Sequence, residues 1–316
     1  NKRMKELKAH QKLILEEIKS REENNVFSTI ILNLICGGGK SLIISTLCKE
    51  SDYFNLIIVN KYSFNQWCDL LNKEEIEYHK VKSARDKIDK NKKINLVLDQ
   101  VYNSTLDNTI NYDRVVIDEV SPFIKKNITT KSMILLSSTY KEINNYMEHY
   151  DNISSMDYMN YNLYDFYFHS LESLLLKSVK IINDEFYSNH SIEFLKMSDK
   201  KKDLIKIINT KSISDKILIF TNNIKEMIKL LERRLIKFLI VEYDVSSDGI
   251  KKIQNTFSSQ HYDILVINTN ININGISFSM ANNAILYDKF DEITETQCLG
   301  RIIRMTNKKN IKIYSA

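Results

Sequence analysis

The chain alternates short, nearly continuous runs of Ile, Leu and Val with longer stretches in which apolar residues recur at helical spacing. Strands buried on both faces of a parallel sheet need runs of this kind, because the helices covering each face leave no polar side. In the first half the runs predict strands over 28–35, 55–60, 94–98, 113–117 and 132–137. Helices are predicted over 41–50 and 63–73, after a leading amphipathic helix, roughly 4–19, that sets Leu7, Leu15 and Ile18 on one side. The second half repeats the theme, with strands over 216–220, 237–241, 262–267, 283–287 and 311–314. Its helices are predicted over 224–235, 249–257 and 294–304. Such alternation argues an α/β protein built on mainly parallel sheets flanked by helices.

Residues 140–200 break the alternation with a tyrosine-rich stretch, a helical pattern and a lysine-rich run. They read as a mostly helical connecting segment, which divides the chain into 1–142, 143–205 and 206–316. Tyrosine rings can stack on bases, but packing of an inserted segment is their commoner use.

Composition narrows the picture only a little. With 316 residues, 43% of them hydrophobic, the chain is long enough for two domains with cores of their own. No apolar run is long enough to span a bilayer, and the charged, amphipathic start does not read as a secretory signal. The four cysteines, Cys36, Cys48, Cys68 and Cys298, are scattered, with no C-x-x-C pair. That argues against a zinc site or a disulfide framework and for a reducing, intracellular setting. A net charge of +5 is mildly basic and points only weakly to nucleic acid. The basic residues cluster at Lys80 to Lys93 and Lys196 to Lys216, where a solvated surface is the ordinary reading.

Three short constellations carry chemistry. The first predicted strand runs into Cys36, Gly37, Gly38, Gly39, Lys40 and Ser41, then a helix. Glycines let the backbone turn tightly and aim several N–H groups at one anion, and the helix adds its positive N-terminus. Lys40 would reach the β- and γ-phosphates of ATP, and the Ser41 hydroxyl would hold Mg²⁺. Leu34 stands where the general phosphate-loop pattern has its first glycine.

The second constellation ends an apolar strand: Val115, Val116 and Ile117 lead to Asp118 and Glu119. An aspartate at such a tip binds Mg²⁺ directly or through water, and the neighbouring glutamate orients and deprotonates the attacking water. The third is Gln297, Gly300, Arg301 and Arg304 in the pattern Q-x-x-G-R-x-x-R. On one continuous helix these positions share a face, so both arginines would serve as fingers supplied in cis to a phosphate.

Together and in this order the motifs resemble those of superfamily 2 helicases over nearly the whole chain. The resemblance implies two RecA-like domains of the P-loop NTPase class and coupling of Mg-ATP hydrolysis to movement on nucleic acid. His10 and Gln11 look like the element whose glutamine reads adenine, with histidine in place of the usual aromatic residue. Asn60, Lys61 and Gln66 with Trp67 look like the motif that grips the nucleic-acid backbone, and Asp99 and Gln100 occupy the place of the next such motif. Ser137, Ser138 and Thr139 resemble Ser-Ala-Thr, and Thr221 with Asn222 is similar to the motif opening the second domain. Thr269 with Asn274, Gly275, Ile276 and Ser277 stands where the family often has Arg-Gly-x-Asp. By the resemblance Gly275 lies at the nucleotide, while Thr221, Asn222 and Thr269 lie on nucleic acid. The partners implied are DNA in preference to RNA and the proteins of a replication, repair or transcription complex, in a viral or phage branch, with no membrane.

Two rival readings differ in testable ways. A P-loop switch or transport ATPase accounts for the first half but leaves the arginine pattern unused. A helicase-like subunit could act as a translocase or remodelling module in a larger viral assembly without unwinding by itself.

Overall fold

The computed structural model describes residues 7–24, 29–34, 37–105, 109–119, 130–137, 190–242, 245–259, 261–271, 276–302 and 309–316. The chain divides into two compact units, Asn1–Asp184 and Glu185–Ala316. No described helix is long and apolar enough to cross a membrane.

The first unit runs α1 (Ala9–Glu23), β1 (Thr29–Asn33), α2 (Lys40–Glu50), β2 (Asn55–Val59), α3 (Lys61–Lys73), β3 (Tyr78–Val81), β4 (Ile94–Leu98), α4 (Asp99–Thr105), β5 (Tyr112–Asp118) and β6 (Thr130–Ser137). Its six strands are ordered β1-β6-β5-β2-β4-β3, and every described pairing is parallel. All five residues of β2 are buried, as are Val115, Val116 and Ile117 of β5. Each apolar side chain buried this fully contributes roughly 1.5–3 kcal/mol, which is why the hydropathy pattern dictates these strands.

The second unit runs β7 (His190–Lys196), α5 (Lys200–Thr210), β8 (Ile217–Thr221), α6 (Ile224–Glu232), β9 (Leu239–Val241), α7 (Ser247–Ser258), β10 (Ile264–Asn268), β11 (Asn283–Leu286), α8 (Glu292–Leu299) and β12 (Lys309–Ser315). The order is β7-β12-β11-β8-β10-β9, again parallel throughout the described pairings. Asp199, Asn223 and Ser246 cap α5, α6 and α7, each accepting a backbone N–H from the first turn. Such a cap contributes about 1 kcal/mol.

Two parallel sheets flanked by helices are therefore the architecture that the alternation implies. Strand β7 and most of α5 fall inside the stretch 143–205 that the hydropathy pattern assigns to a connecting segment; the earlier part of that stretch lies outside the described residues. The leading helix starts and ends later than its apolar pattern suggests. Its buried face runs from His10 and Gln11 through Ile14, Leu15 and Ile18 to Glu22.

An ion pair fixes the far end of that helix. Glu22 takes both Arg114 of β5, through Nε at 2.8 Å and Nη2, and the Ser132 hydroxyl of β6 at 2.7 Å. Arg114 is wholly buried, and its Nη1 also donates to Ser51 and Asn55. A charge pair can be held away from water only with its remaining hydrogen bonds satisfied in this way.

Candidate nucleotide site and the edges of the two sheets

In a parallel sheet the carboxyl ends of all strands lie along one edge, where ligands of open α/β folds bind. In the first unit that edge collects the glycine loop after β1, Asn60 after β2, Asp99 and Gln100 after β4, and Asp118 with Glu119 at the end of β5.

The loop is held from beneath by α1. Gln11 donates its carboxamide Nε2 to the Gly38 carbonyl at 3.0 Å, and His10 Nε2 lies 2.9 Å from the same oxygen. The Gln11 Oε1 accepts the Lys8 backbone N–H at 3.0 Å, so both ends of this amide have backbone partners. Gly37 and Gly39 have φ of 81° and 93°, a left-handed backbone that an L side chain adopts only with strain. At Gly39 a Cβ would also run into the Gln11 carboxamide. Glycine is thus favoured there by its backbone, and any side chain would in addition shift the Gln11 carboxamide.

Helix α2 starts at Lys40 with no side-chain cap, which leaves its first-turn N–H groups for another acceptor. The Lys40 ammonium donates to the Leu34 carbonyl at 2.8 Å, spanning the loop, and Ser41 follows in the first turn, partly exposed.

Asp118 is buried, only 7% exposed. Burial pushes its carboxyl up from the ordinary value, opposed by a hydrogen bond from Trp67 and by the Lys40 charge. The Lys40 effect places the phosphate-loop lysine and the strand-tip carboxylate in one electrostatic neighbourhood. Glu119 takes φ of 63° and still donates its N–H to Leu136 O at 3.0 Å. A left-handed non-glycine residue costs on the order of 1 kcal/mol, and this turn ends the strand and carries the glutamate off the sheet, partly exposed.

The residues expected on nucleic acid divide by exposure. Asn60 caps α3, its side-chain oxygen accepting from Tyr62 N and Ser63 N at 2.9 Å each, and Asp99 is buried. Gln66 and Gln100 are exposed; Lys61 is partly exposed, with its ammonium 5.1 Å from the Tyr62 ring centroid. Of these expected contacts, Lys61, Gln66 and Gln100 are open to solvent. Ser137 is buried, while Ser138 and Thr139 lie outside the described residues.

In the second unit Thr221 is fully buried and donates its hydroxyl to Asp288 Oδ2 at 2.8 Å, which also accepts the Asn222 N–H at 2.9 Å. Thr269 donates its N–H to Thr221 O at 2.9 Å. Thr221 thus ties the strand ends together, and Asn222 is the exposed member of the pair. The residue that organises this edge, Asp288 after β11, carries no motif signal in the sequence.

The arginine segment departs from the expected geometry. Helix α8 ends at Leu299, so Arg301 stands in the turn beyond it instead of on a continuous helix through 304. Gly300, in the same turn, is buried, and there the i, i+3, i+4 argument for a shared face stops applying. Arg301 is 4% exposed; its Nε donates to Gln297 O at 3.0 Å and its Nη1 to Ile276 O at 2.9 Å. It clips the 276–278 segment onto the end of α8. Gln297 is partly exposed, and Arg304 and Gly275 lie outside the described residues.

Residues 199–306, about a third of the chain, match the helicase conserved C-terminal domain family. The matched stretch begins at the cap of α5 and includes Thr221, Thr269, Gln297 and Arg301. No curated protein sequence matches the chain. Among solved structures the chain is similar to the SWI2/SNF2 ATPase core of Sulfolobus solfataricus in complex with dsDNA, at 16% identity and TM-score 0.46, covering 99% of this chain and 88% of that one. The same ATPase core domain in a second structure gives 15% identity and TM-score 0.46, covering 99% and 85%. A hypothetical ATP-dependent RNA helicase from Sulfolobus tokodaii gives 14% and 0.37, covering 98% and 92%.

Proposed function

We propose that the chain is an ATP hydrolase of the superfamily 2 helicase type, with two RecA-like domains, acting as a translocase on nucleic acid, DNA in preference to RNA. The observation that carries this reading is the edge of the first sheet. There a left-handed glycine loop, an uncapped helix N-terminus with Lys40, and the buried carboxylate of Asp118 share one electrostatic neighbourhood. The helicase C-terminal match over 199–306 supports the nucleic-acid half of the reading.

Among the described residues no three His, Cys, Asp or Glu side chains gather as a metal site of their own. Magnesium suits such a surface, since it is commonly held by one or two protein oxygens together with substrate phosphates. Ser41 and Asp118 supply hard oxygen donors of that kind and would hold it. When bound, it would neutralise charge on the phosphates. Gly37, Gly38, Gly39 and Lys40 cradle the phosphates, and Glu119 accepts the proton of the attacking water. Lys61, Gln66, Gln100 and Asn222 are the exposed side chains we assign to the nucleic-acid backbone.

The test is ATP hydrolysis measured with single-stranded DNA, duplex DNA and RNA at one salt concentration. DNA is expected to stimulate the rate, RNA less so. Lys40→Ala and Glu119→Gln are each expected to lower turnover at least ~100-fold while DNA binding persists. A Glu119→Gln protein with wild-type turnover would remove the assigned base; unstimulated hydrolysis would favour a P-loop ATPase of another kind.

A further inference from the structure

Trp67 is the only tryptophan of the chain, it is 1% exposed, and its indole N–H points at the carboxylate just assigned to the metal. Nε1 donates to Asp118 Oδ2 at 2.6 Å, from the middle of α3 to the tip of β5. We propose that Trp67 is the positioning residue of the metal-binding carboxylate, fixing one oxygen of Asp118 so that the other is presented to the cation. This rests on the ATPase reading above.

The geometry that brings the two together is short and stiff. Val59 pairs with Asp118 across β2 and β5. The next residue, Asn60, caps α3 through two backbone N–H groups, so the helix leaves β2 at a fixed angle with Trp67 two turns along. The indole has two χ angles, one donor and no acceptor, and a buried donor needs a partner. Asp118 is that partner.

The chemistry of the donor matters as much as its place. A carboxylate next to a metal must be oriented, and lysine or arginine would do so while cancelling its charge and repelling the cation. An indole is neutral. It holds Oδ2, stabilises the ionised form by a charge-assisted hydrogen bond, and leaves the full negative charge for magnesium. A packing role alone would need the bulk of the ring system and not its N–H.

Two replacements separate these roles. Trp67→Phe keeps an aromatic ring and removes the donor. Because the tryptophan is unique, growth on β-(3-benzothienyl)alanine replaces it alone, with an indole-shaped ring in which sulfur stands for the N–H. In both proteins the magnesium concentration for half-maximal ATP hydrolysis is expected to rise ~10-fold or more, as for loss of other groups that orient a metal ligand. Calorimetric affinity for ADP in EDTA is expected to stay as in wild type. In the wild-type protein, Mg-ADP is expected to shift or quench Trp67 emission, and ADP in EDTA to do so far less.

Unchanged magnesium requirement in the benzothienyl protein would overturn the positioning role, as would unmoved emission when calorimetry shows Mg-ADP bound. If wild-type protein neither bound Mg-ADP in the calorimeter nor hydrolysed ATP, the ATPase reading itself would fall and take the role with it.

Discussion

At Gly39 two independent constraints meet in one residue. Its φ of 93° costs an L side chain roughly 1–2 kcal/mol. A Cβ there would also displace the Gln11 carboxamide that braces the loop from α1. Gly39→Ala is therefore expected to weaken Mg-ADP binding at least ~10-fold by calorimetry and to lower the melting temperature. Wild-type affinity in that variant would mean that the loop conformation does not matter to the nucleotide. The same residue scale shows what sequence could and could not deliver. Lys40, Ser41 and Asp118 were legible because they sit at the ends of elements whose apolar pattern is unambiguous. In the sequence Trp67 is legible only as part of a backbone-gripping motif, since nothing in one sequence reveals that an indole on α3 faces a carboxylate on β5.

At the scale of elements, the two ends of α1 do different jobs. His10 and Gln11 hold Gly38, and Glu22 anchors the other end to Arg114 and Ser132. Breaking a buried ion pair by removing one partner costs about 3–5 kcal/mol, because the other charge is left stranded. Glu22→Gln is expected to lose stability near the lower figure, since its amide oxygen can still accept from Arg114 Nε and the Ser132 hydroxyl. Glu22→Leu combined with Arg114→Met is expected to recover most of the loss, measured by chemical denaturation. A double variant no better than Glu22→Gln would show that the network does more than neutralise one buried charge.

Arg114 is hidden in the sequence because it stands with Asp113 at the charged start of the apolar run 115–117, where a basic residue reads as exposed. The strands that the pattern missed, Tyr78–Val81 and His190–Lys196, are both sheet edges. An edge strand is covered less completely, so Lys80, Glu193 and Phe194 are exposed and the continuous apolar signal disappears. The arginine segment failed differently. Helical spacing does not continue past Gly300, because the helix stops at Leu299.

At the scale of the whole molecule, each unit closes a core of its own, one around Val97, Val115 and Ile117 and another around Ile219, Val266 and Ile285. Damage to one core is expected to register first in that unit, and the single tryptophan makes this measurable. Trp67 emission reports the first unit, whereas far-UV ellipticity reports both. A suitable lesion in the second unit is Asp263. Burial works to raise its carboxyl, but hydrogen bonds from Lys211 and Lys216 outweigh that and hold it below the ordinary value. Lys216 also donates to the Ser259 and Tyr262 carbonyls at 2.6 Å each, so this cluster pins the turn after α7 to the start of β8. A carboxyl depressed by folding adds stability above its unfolded value, near pH 3.9, and loses that contribution as pH falls through the lower folded value. Asp263→Asn is then expected to cost about 1 kcal/mol at pH 7, discounted for partial exposure, and the cost should vanish toward pH 2–3. In thermal unfolding at pH 7 the loss should appear in the ellipticity curve and leave the Trp67 emission midpoint unmoved. An emission midpoint that falls by as much as the ellipticity midpoint would mean that the two cores unfold as one cooperative block.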